Sequence, residues 1–228
     1  MFDADLQQAD AQVVAWEADD EELKEIFRDP GRDLHNENAE VLFGKLTPHS
    51  RQMAKTGVHA VDYGATARTV ARALGITVAV AEAFIRRWFG AHPKIKLWHE
   101  RIGHELQTTR TVSNKFGFRI RYFGRVEALL PEALAWIPQS TVAYVINVGL
   151  NKLEAHPEII PNIQVHDSIV GQFPHAFYPN RTDIKAALTV TVPYDDPLIM
   201  GVDLTCSRKS WGDCKNVPWT DNYLLCPH

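Results

Sequence analysis

Three separated segments of this 228-residue chain hold polar side chains where a plain apolar core would not place them. Asp5-Leu6-Gln7-Gln8-Ala9-Asp10 stands at the end of a presumed strand. Arg51, Lys55, His59 and Tyr63 follow at i+4 steps, which puts them on one face of a helix. His166-Asp167 is a polar pivot between two apolar arms, residues 162–165 and 168–170. A carboxylate between Val165 and Ile169 is costly to bury unless it is paired or bound to a metal. Read alone, Asp167 also suits a solvated turn, and the Arg51 face also suits a solvated amphipathic helix. Read together, the segments fit phosphoryl transfer. Oxygen ligands from two strands could hold two Mg2+ ions, which lower the pKa of an attacking hydroxyl and stabilise a leaving oxygen. Arg51 and Lys55 could neutralise a triphosphate, and Tyr63 could stack near a base.

The elements that must position these groups are legible in outline. Residues 12–27 read as a short apolar strand end followed by an acidic helix, broken by Asp29-Pro30-Gly31. A helix fits residues 36–43, ended by Gly44. Thr47 then offers an N-cap, with Pro48 in the first position of the helix bearing Arg51 to Tyr63. Residues 66–74, a helix capped by Thr77, and a longer one from Pro93 complete a helical layer. Residues 111–122 carry β-type residues around turn formers, a helix is expected over 139–155 after Pro138, and a last strand fits 198–206. Helices with a small, mostly antiparallel sheet make an α+β fold with a helical insertion.

Composition is that of an ordinary globular chain, 45% hydrophobic and 23% charged. No unbroken apolar run reaches the roughly 18–20 residues of a membrane span, and the first residues lack a signal-peptide pattern, so no membrane partner and a cytoplasmic setting are expected. Cys206, Cys214 and Cys226 make no disulfide framework. With His228 they could meet at zinc, but no paired C-x2-C knuckle is present, and reduced thiols are the preferred reading. The net charge of −4 does not advertise a nucleic-acid binder, yet Lys115, Arg119, Arg121 and Arg125 interleave with aromatic residues and no acid over 115–125. That stretch reads equally as a DNA contact or a solvated basic edge.

The motifs in series resemble those of family A DNA polymerases. Asp5-x-Gln7-Gln8-x-Asp10-x-x-Val13 resembles motif A, D-Y-S-Q-I-E-L-R-V. Arg51-x3-Lys55-x7-Tyr63-Gly64 resembles motif B of the nucleotide-binding fingers helix, and Gln164-Val165-His166-Asp167 resembles motif C, V-H-D-E. Residues 31–39 resemble G-R-D-I-H-x-x-T-A, residues 116–122 resemble F-G-R-R-R-Y, and Pro138-Gln139-Ser140-Thr141 resembles P-x-Q-G-T, one residue shorter. Residues 197–212 resemble the closing palm strand with its tryptophan, Trp211.

The resemblance implies a palm with a small antiparallel sheet and an inserted helical fingers subdomain. Residues 1–16 and 111–228 would be palm and 17–110 fingers. It implies template-directed DNA synthesis, with Asp5, Asp167 and the Leu6 carbonyl holding two Mg2+ ions. His35, Arg51 and Lys55 would hold the triphosphate, Lys55 also acting as general acid. Gln8 and His59 would line the nucleotide site, Tyr63 would sit beside the templating pair, and Asp10 would be the gate against a 2′-hydroxyl. Arg119, Arg121, Gln139 and His166 would touch primer–template DNA. The implied partners are that DNA, dNTPs and an upstream polypeptide supplying a thumb and exonuclease, since only four residues precede Asp5.

Asp10 stands where the family has Glu, His59 where it has Phe or Tyr, Ala60 where it has Gly, and Ser168 where motif C has Glu. These departures suggest a phage-type origin. His-Asp-Ser is nearer to single-subunit RNA polymerases, but those lack an acid where Asp10 stands. A non-catalytic or partner-dependent DNA-binding subunit is the remaining alternative.

Overall fold

Alternation along the first strand, β1 (Phe2–Leu6), sets up the sheet: Phe2, Ala4 and Leu6 are buried, Asp3 is half-buried and Asp5 is exposed. A period of two marks a strand with one covered face. The computed structural model describes residues 1–174 and 181–216 and divides into two compact units, Met1–Ala9 with Ser140–His228, and Asp10–Gln139.

After β1 come α1 (Ala9–Ala18), α2 (Glu21–Arg28), α3 (Leu34–Phe43), α4 (Pro48–Asp62), α5 (Ala67–Leu74), α6 (Val78–Ala91) and α7 (Pro93–Thr108). Side-chain caps start most of them. Asp20, Asp33, Thr66 and Thr77 each accept from a backbone N–H three residues on, and Thr47 forms a reciprocal capping box with Ser50 ahead of Pro48. Trp88, Trp98, Ile95, Ile102 and Leu106 fill the interior of this helical unit. An antiparallel hairpin, β2 (Thr111–Ser113) and β3 (Arg119–Arg121), follows, and then the long α8 (Val126–Glu154).

Two expectations are corrected here. The apolar run Val13-Val14-Ala15-Trp16 is buried on every side within a helix, and periodicity cannot separate such a segment from a buried strand. Helix α8 begins thirteen residues before the expected start at 139 and runs through Pro131 and Pro138. Each proline removes a helical hydrogen bond. Burial of Ala133, Leu134, Ile137, Val142, Val145 and Ile146 holds the helix through both. Residues 128–154 of α8, with a mean hydropathy of 1.2 over an 18-residue window, are long and apolar enough to cross a membrane. Half of that window is buried inside the structure, as in a core helix.

The remaining elements are β4 (Ile160–Val165), β5 (Ser168–Gln172), α9 (Arg181–Leu188), β6 (Thr191–Val192), β7 (Leu198–Ile199), β8 (Val202–Cys206) and β9 (Lys215–Asn216). The main sheet has the order β4-β5-β1-β8-β9, every neighbour antiparallel, while β6 and β7 pair separately. Gly171 lies opposite Phe2, and a Cβ there would come within 2.5 Å of the Phe2 ring. The phenyl ring therefore needs that glycine to pack on the sheet. The α+β class expected from the sequence is the class observed.

Candidate active site

In the sheet unit, two of the predicted segments meet at the backbone. Strand β1 is central, paired with β5 on one side and β8 on the other. Asp5 lies opposite Ser168, and the Leu6 N–H donates to the Asp167 carbonyl at 3.0 Å. His166 and Asp167 form the two-residue turn between β4 and β5, with His166 at φ 52°. A non-glycine residue in that region is strained and persists only where neighbours hold it. Ser168, which replaces the motif C glutamate, donates its hydroxyl to the Val165 carbonyl at 3.1 Å and so closes the same turn.

The sequence reading missed the residue on the other side of Asp5. Asp203 of β8 is directly opposite Asp5 and is exposed, so both carboxylates project from the open face of the sheet. Like charges in that relation repel. Gln7 Nε2 donates to Asp203 Oδ1 at 2.6 Å, while the Gln7 N–H donates to the Gly201 carbonyl at 2.9 Å. A Cβ at 201 would collide with Gln7 Oε1, so that glycine leaves room for the amide. Gln8 follows at φ 46° and is exposed where the chain turns into α1. The alternation Val202-Asp203-Leu204 marks Asp203 as outward, but only the register places it against Asp5. Trp211 Nε1 donates to Asp3 Oδ2 at 2.7 Å, tying the residues after β8 to β1.

A divalent ion fits this donor set. Mg2+ needs only one or two protein carboxylates, with substrate phosphates and waters completing its octahedron. Among the described residues no group of three or more His, Cys, Asp or Glu stands ready as a closed cage. Cys206 is buried and Cys214 half-buried, while Cys226 and His228 of the zinc alternative lie outside the described residues.

The helical unit gathers the other predicted side chains around α4. Arg51 donates through Nε to Asn36 Oδ1 and through a terminal nitrogen to Asp33 Oδ2, both at 2.9 Å, which ties α4 to the start of α3. His35 is buried between them, and its Nδ1 has no hydrogen-bond partner among the described residues. Burial, reinforced by the Lys55 and Arg51 charges, pushes the His35 pKa down to about 4. The imidazole is therefore neutral at neutral pH. Lys55 is exposed one turn along.

His59 and Tyr63 stack edge-on at 4.4 Å between ring centroids, and the Tyr63 hydroxyl donates to Asp10 Oδ2 at 2.8 Å. Burial and the Asp10 charge push that hydroxyl well above the usual phenol range, so it stays a donor. Gln139 and His166 are exposed, and Arg119 and Arg121 stand exposed on the β2–β3 hairpin.

Asp62, next to Tyr63, is a buried acid that the sequence reading passed over. Its Oδ1 accepts from Trp88 Nε1 at 2.8 Å, and its backbone carbonyl pairs with His99 Nε2 at 2.9 Å. Nearby, the His92 ring pairs with Asp20, both buried. Burial pushes the Asp62 carboxyl up to about 8. The unfolded chain releases this proton near 3.8, the ordinary value for an aspartate. The stabilising contribution is thus complete below about pH 4 and is lost progressively as pH rises towards about 8. Asp62→Asn keeps an acceptor for Trp88 and cannot ionise. Its urea midpoint should exceed that of wild type increasingly from about pH 5 to about pH 8. A constant offset across that range would contradict the buried-acid assignment.

The family model for DNA polymerase family A matches residues 1–211. Curated relatives include the thermostable DNA polymerase I of Thermus filiformis, 34% identical over 93% of this chain and 27% of its own length. Another is DNA polymerase I of Helicobacter pylori, 26% identical over 75% of this chain and 20% of its own. The chain thus spans about a quarter of the length of the relatives it matches. Among solved structures, the POL domain of Pol1 from M. smegmatis, in complex with DNA primer-template and dNTP, matches with a TM-score of 0.75. The match has 22% identity and covers 89% of this chain and 39% of that one.

Proposed function

The chain belongs to DNA polymerase family A, and from that premise we propose that it carries out template-directed DNA synthesis by nucleotidyl transfer at two Mg2+ ions. Palm function is assigned to residues 1–16 and 111–228 and fingers function to 17–110, divisions that cut across the compact units at α1 and at the β2–β3 hairpin. The observation that carries the reading is the pairing of β1 with the β4–β5 turn. It sets the backbones of Asp5 and Asp167 side by side although 162 residues separate them in sequence.

In this reading Asp5, Asp167 and the Leu6 carbonyl hold the metal ions. When bound, Mg2+ supplies a lowered pKa for the primer hydroxyl and charge stabilisation of the leaving oxygen. Arg51, His35 and Lys55 bind the triphosphate, and Lys55 delivers a proton to the departing pyrophosphate. Gln8 and His59 line the nucleotide, and Tyr63 orients it beside the templating base. Gln139 and His166 touch primer–template DNA, Gln139 at minor-groove acceptors that all base pairs share. Arg119 and Arg121 add phosphate contacts. The divergence at His59, Ala60 and Ser168 supports a phage-type origin and a cytoplasmic setting in a bacterial cell or infected host.

Asp10 is assigned to exclude a 2′-hydroxyl, and its hydrogen bond from Tyr63 supports this by fixing the carboxylate. Asp10→Ala should raise ribonucleotide use relative to deoxynucleotide use by about tenfold or more. Tyr63→Phe should raise it less, because the carboxylate stays but is no longer held. Competition between rNTP and dNTP in primer extension measures both ratios. Unchanged selectivity in Asp10→Ala would remove the gate assignment and reopen the RNA polymerase-like alternative.

The second reading is a non-catalytic or partner-dependent subunit. That protein would bind primer–template DNA and extend it only with an upstream polypeptide supplying thumb and exonuclease. Primer extension by the chain alone and with such a polypeptide separates the two.

A further inference from the structure

The loop after β3 holds an aromatic ring out in solvent on a backbone tied down at both sides. Tyr122 is buried, and its N–H donates to the Arg110 carbonyl at 2.8 Å. The Arg110 guanidinium in turn donates to the Gly124 carbonyl. Between these ties stands Phe123, 87% exposed, with the Arg121 guanidinium carbon 5.9 Å from its ring centroid. Phe118, just before β3, is 51% exposed.

A single exposed apolar side chain needs no explanation. Here, however, Arg119 and Arg121 precede the ring in sequence and Arg125 follows it, all exposed, in a stretch from 115 to 125 that contains no acid. A cation over one part of an aromatic face, with further cations along the chain, matches the chemistry of an unpaired nucleic-acid strand. Bases stack on the ring, and phosphates pair with the charges. A base-paired duplex offers no base face except at its ends, so the ring selects for unpaired nucleotides, while the arginines alone would not.

We propose that Phe123 is a stacking platform for an unpaired base of single-stranded DNA, with Arg119, Arg121 and Arg125 following the adjoining phosphates. The inference rests on the reading of the chain as a DNA-binding polymerase and adds the strand type this hairpin contacts.

Fluorescence anisotropy with labelled oligothymidylate and with a closed-end hairpin duplex tests it on the full chain without any need for catalysis. Phe123→Ala should weaken oligothymidylate binding by about tenfold and duplex binding by less than about twofold. Its salt slope should stay at the wild-type value, since no charge is removed. Arg121→Ala should flatten the slope of log affinity against log salt by about 0.7. Phe123→Trp should keep or exceed wild-type affinity, because a larger ring stacks at least as well. Unchanged oligothymidylate binding in Phe123→Ala, or an equal loss on the duplex, overturns the stacking role and leaves the polymerase reading standing. Absence of all DNA binding by wild type at low salt overturns both.

Discussion

On the proposed reading, Asp167→Ala should lower Mg2+-dependent primer extension by about a thousandfold or more, because losing a metal-holding carboxylate would remove several kcal/mol of transition-state charge stabilisation. The substitution is a clean one in this fold. The bond that joins β1 to the turn is made by the Asp167 backbone carbonyl, and the turn is also closed by the Ser168 hydroxyl on the Val165 carbonyl. Neither depends on the carboxylate, so the sheet should persist and the circular dichroism spectrum should match wild type. DNA binding should be retained to within a few-fold, since the hairpin cations are untouched. Extension that survives Asp167→Ala at the wild-type rate would sink the two-metal assignment, with or without an upstream polypeptide.

Lys55→Ala carries the second large expectation, a fall in rate of about 100- to 10,000-fold, the range of a lost general acid. Lys55 is exposed on α4, so truncation costs the fold little. Lys55→Arg separates its two assigned roles. Arginine restores positive charge towards a triphosphate, but with a pKa above about 12 it gives up a proton poorly. The KM for dNTP should therefore return towards wild type in Lys55→Arg while kcat stays low. Full recovery of kcat would reduce Lys55 to an electrostatic contact. In Lys55→Ala His35 loses one of the charges that depress its pKa, so its imidazole titration, followed by NMR, should move up from about 4, whereas Lys55→Arg keeps that charge and should leave it low.

Local signals carried much of the helical unit. Thr47-Pro48 announced the start of α4, Gly44 and Gly75 announced helix ends, and the i+4 spacing put Arg51, Lys55, His59 and Tyr63 on one face. Such features act within one or two turns, and short-range sterics and hydrogen bonding dictate them. The same local logic failed where burial overruled it. The sequence pattern starts this helix only after Pro138, yet packing on both sides of Pro131 and Pro138 keeps α8 continuous. Residues 13–16 read as a strand because apolar residues on every side carry no period.

The amino-acid sequence by itself determined which chemical groups this protein owns. It carries one aspartate between apolar strand residues and another on a polar pivot between two apolar arms, a cationic helix face, an acid ten residues into the chain, and an order of motifs specific enough to place it in a polymerase family. Tertiary structure alone decided what those groups face. Strand register sets Asp203 against Asp5, the Leu6–Asp167 backbone bond joins segments far apart in the chain, and the Tyr63 hydroxyl reaches Asp10. The charge state of His35 and Asp62 is likewise a matter of burial among distant residues. The physical reason is range. Propensity and capping are settled by neighbours in sequence, whereas register, desolvation and cross-strand charge depend on surfaces that meet only once the core has packed.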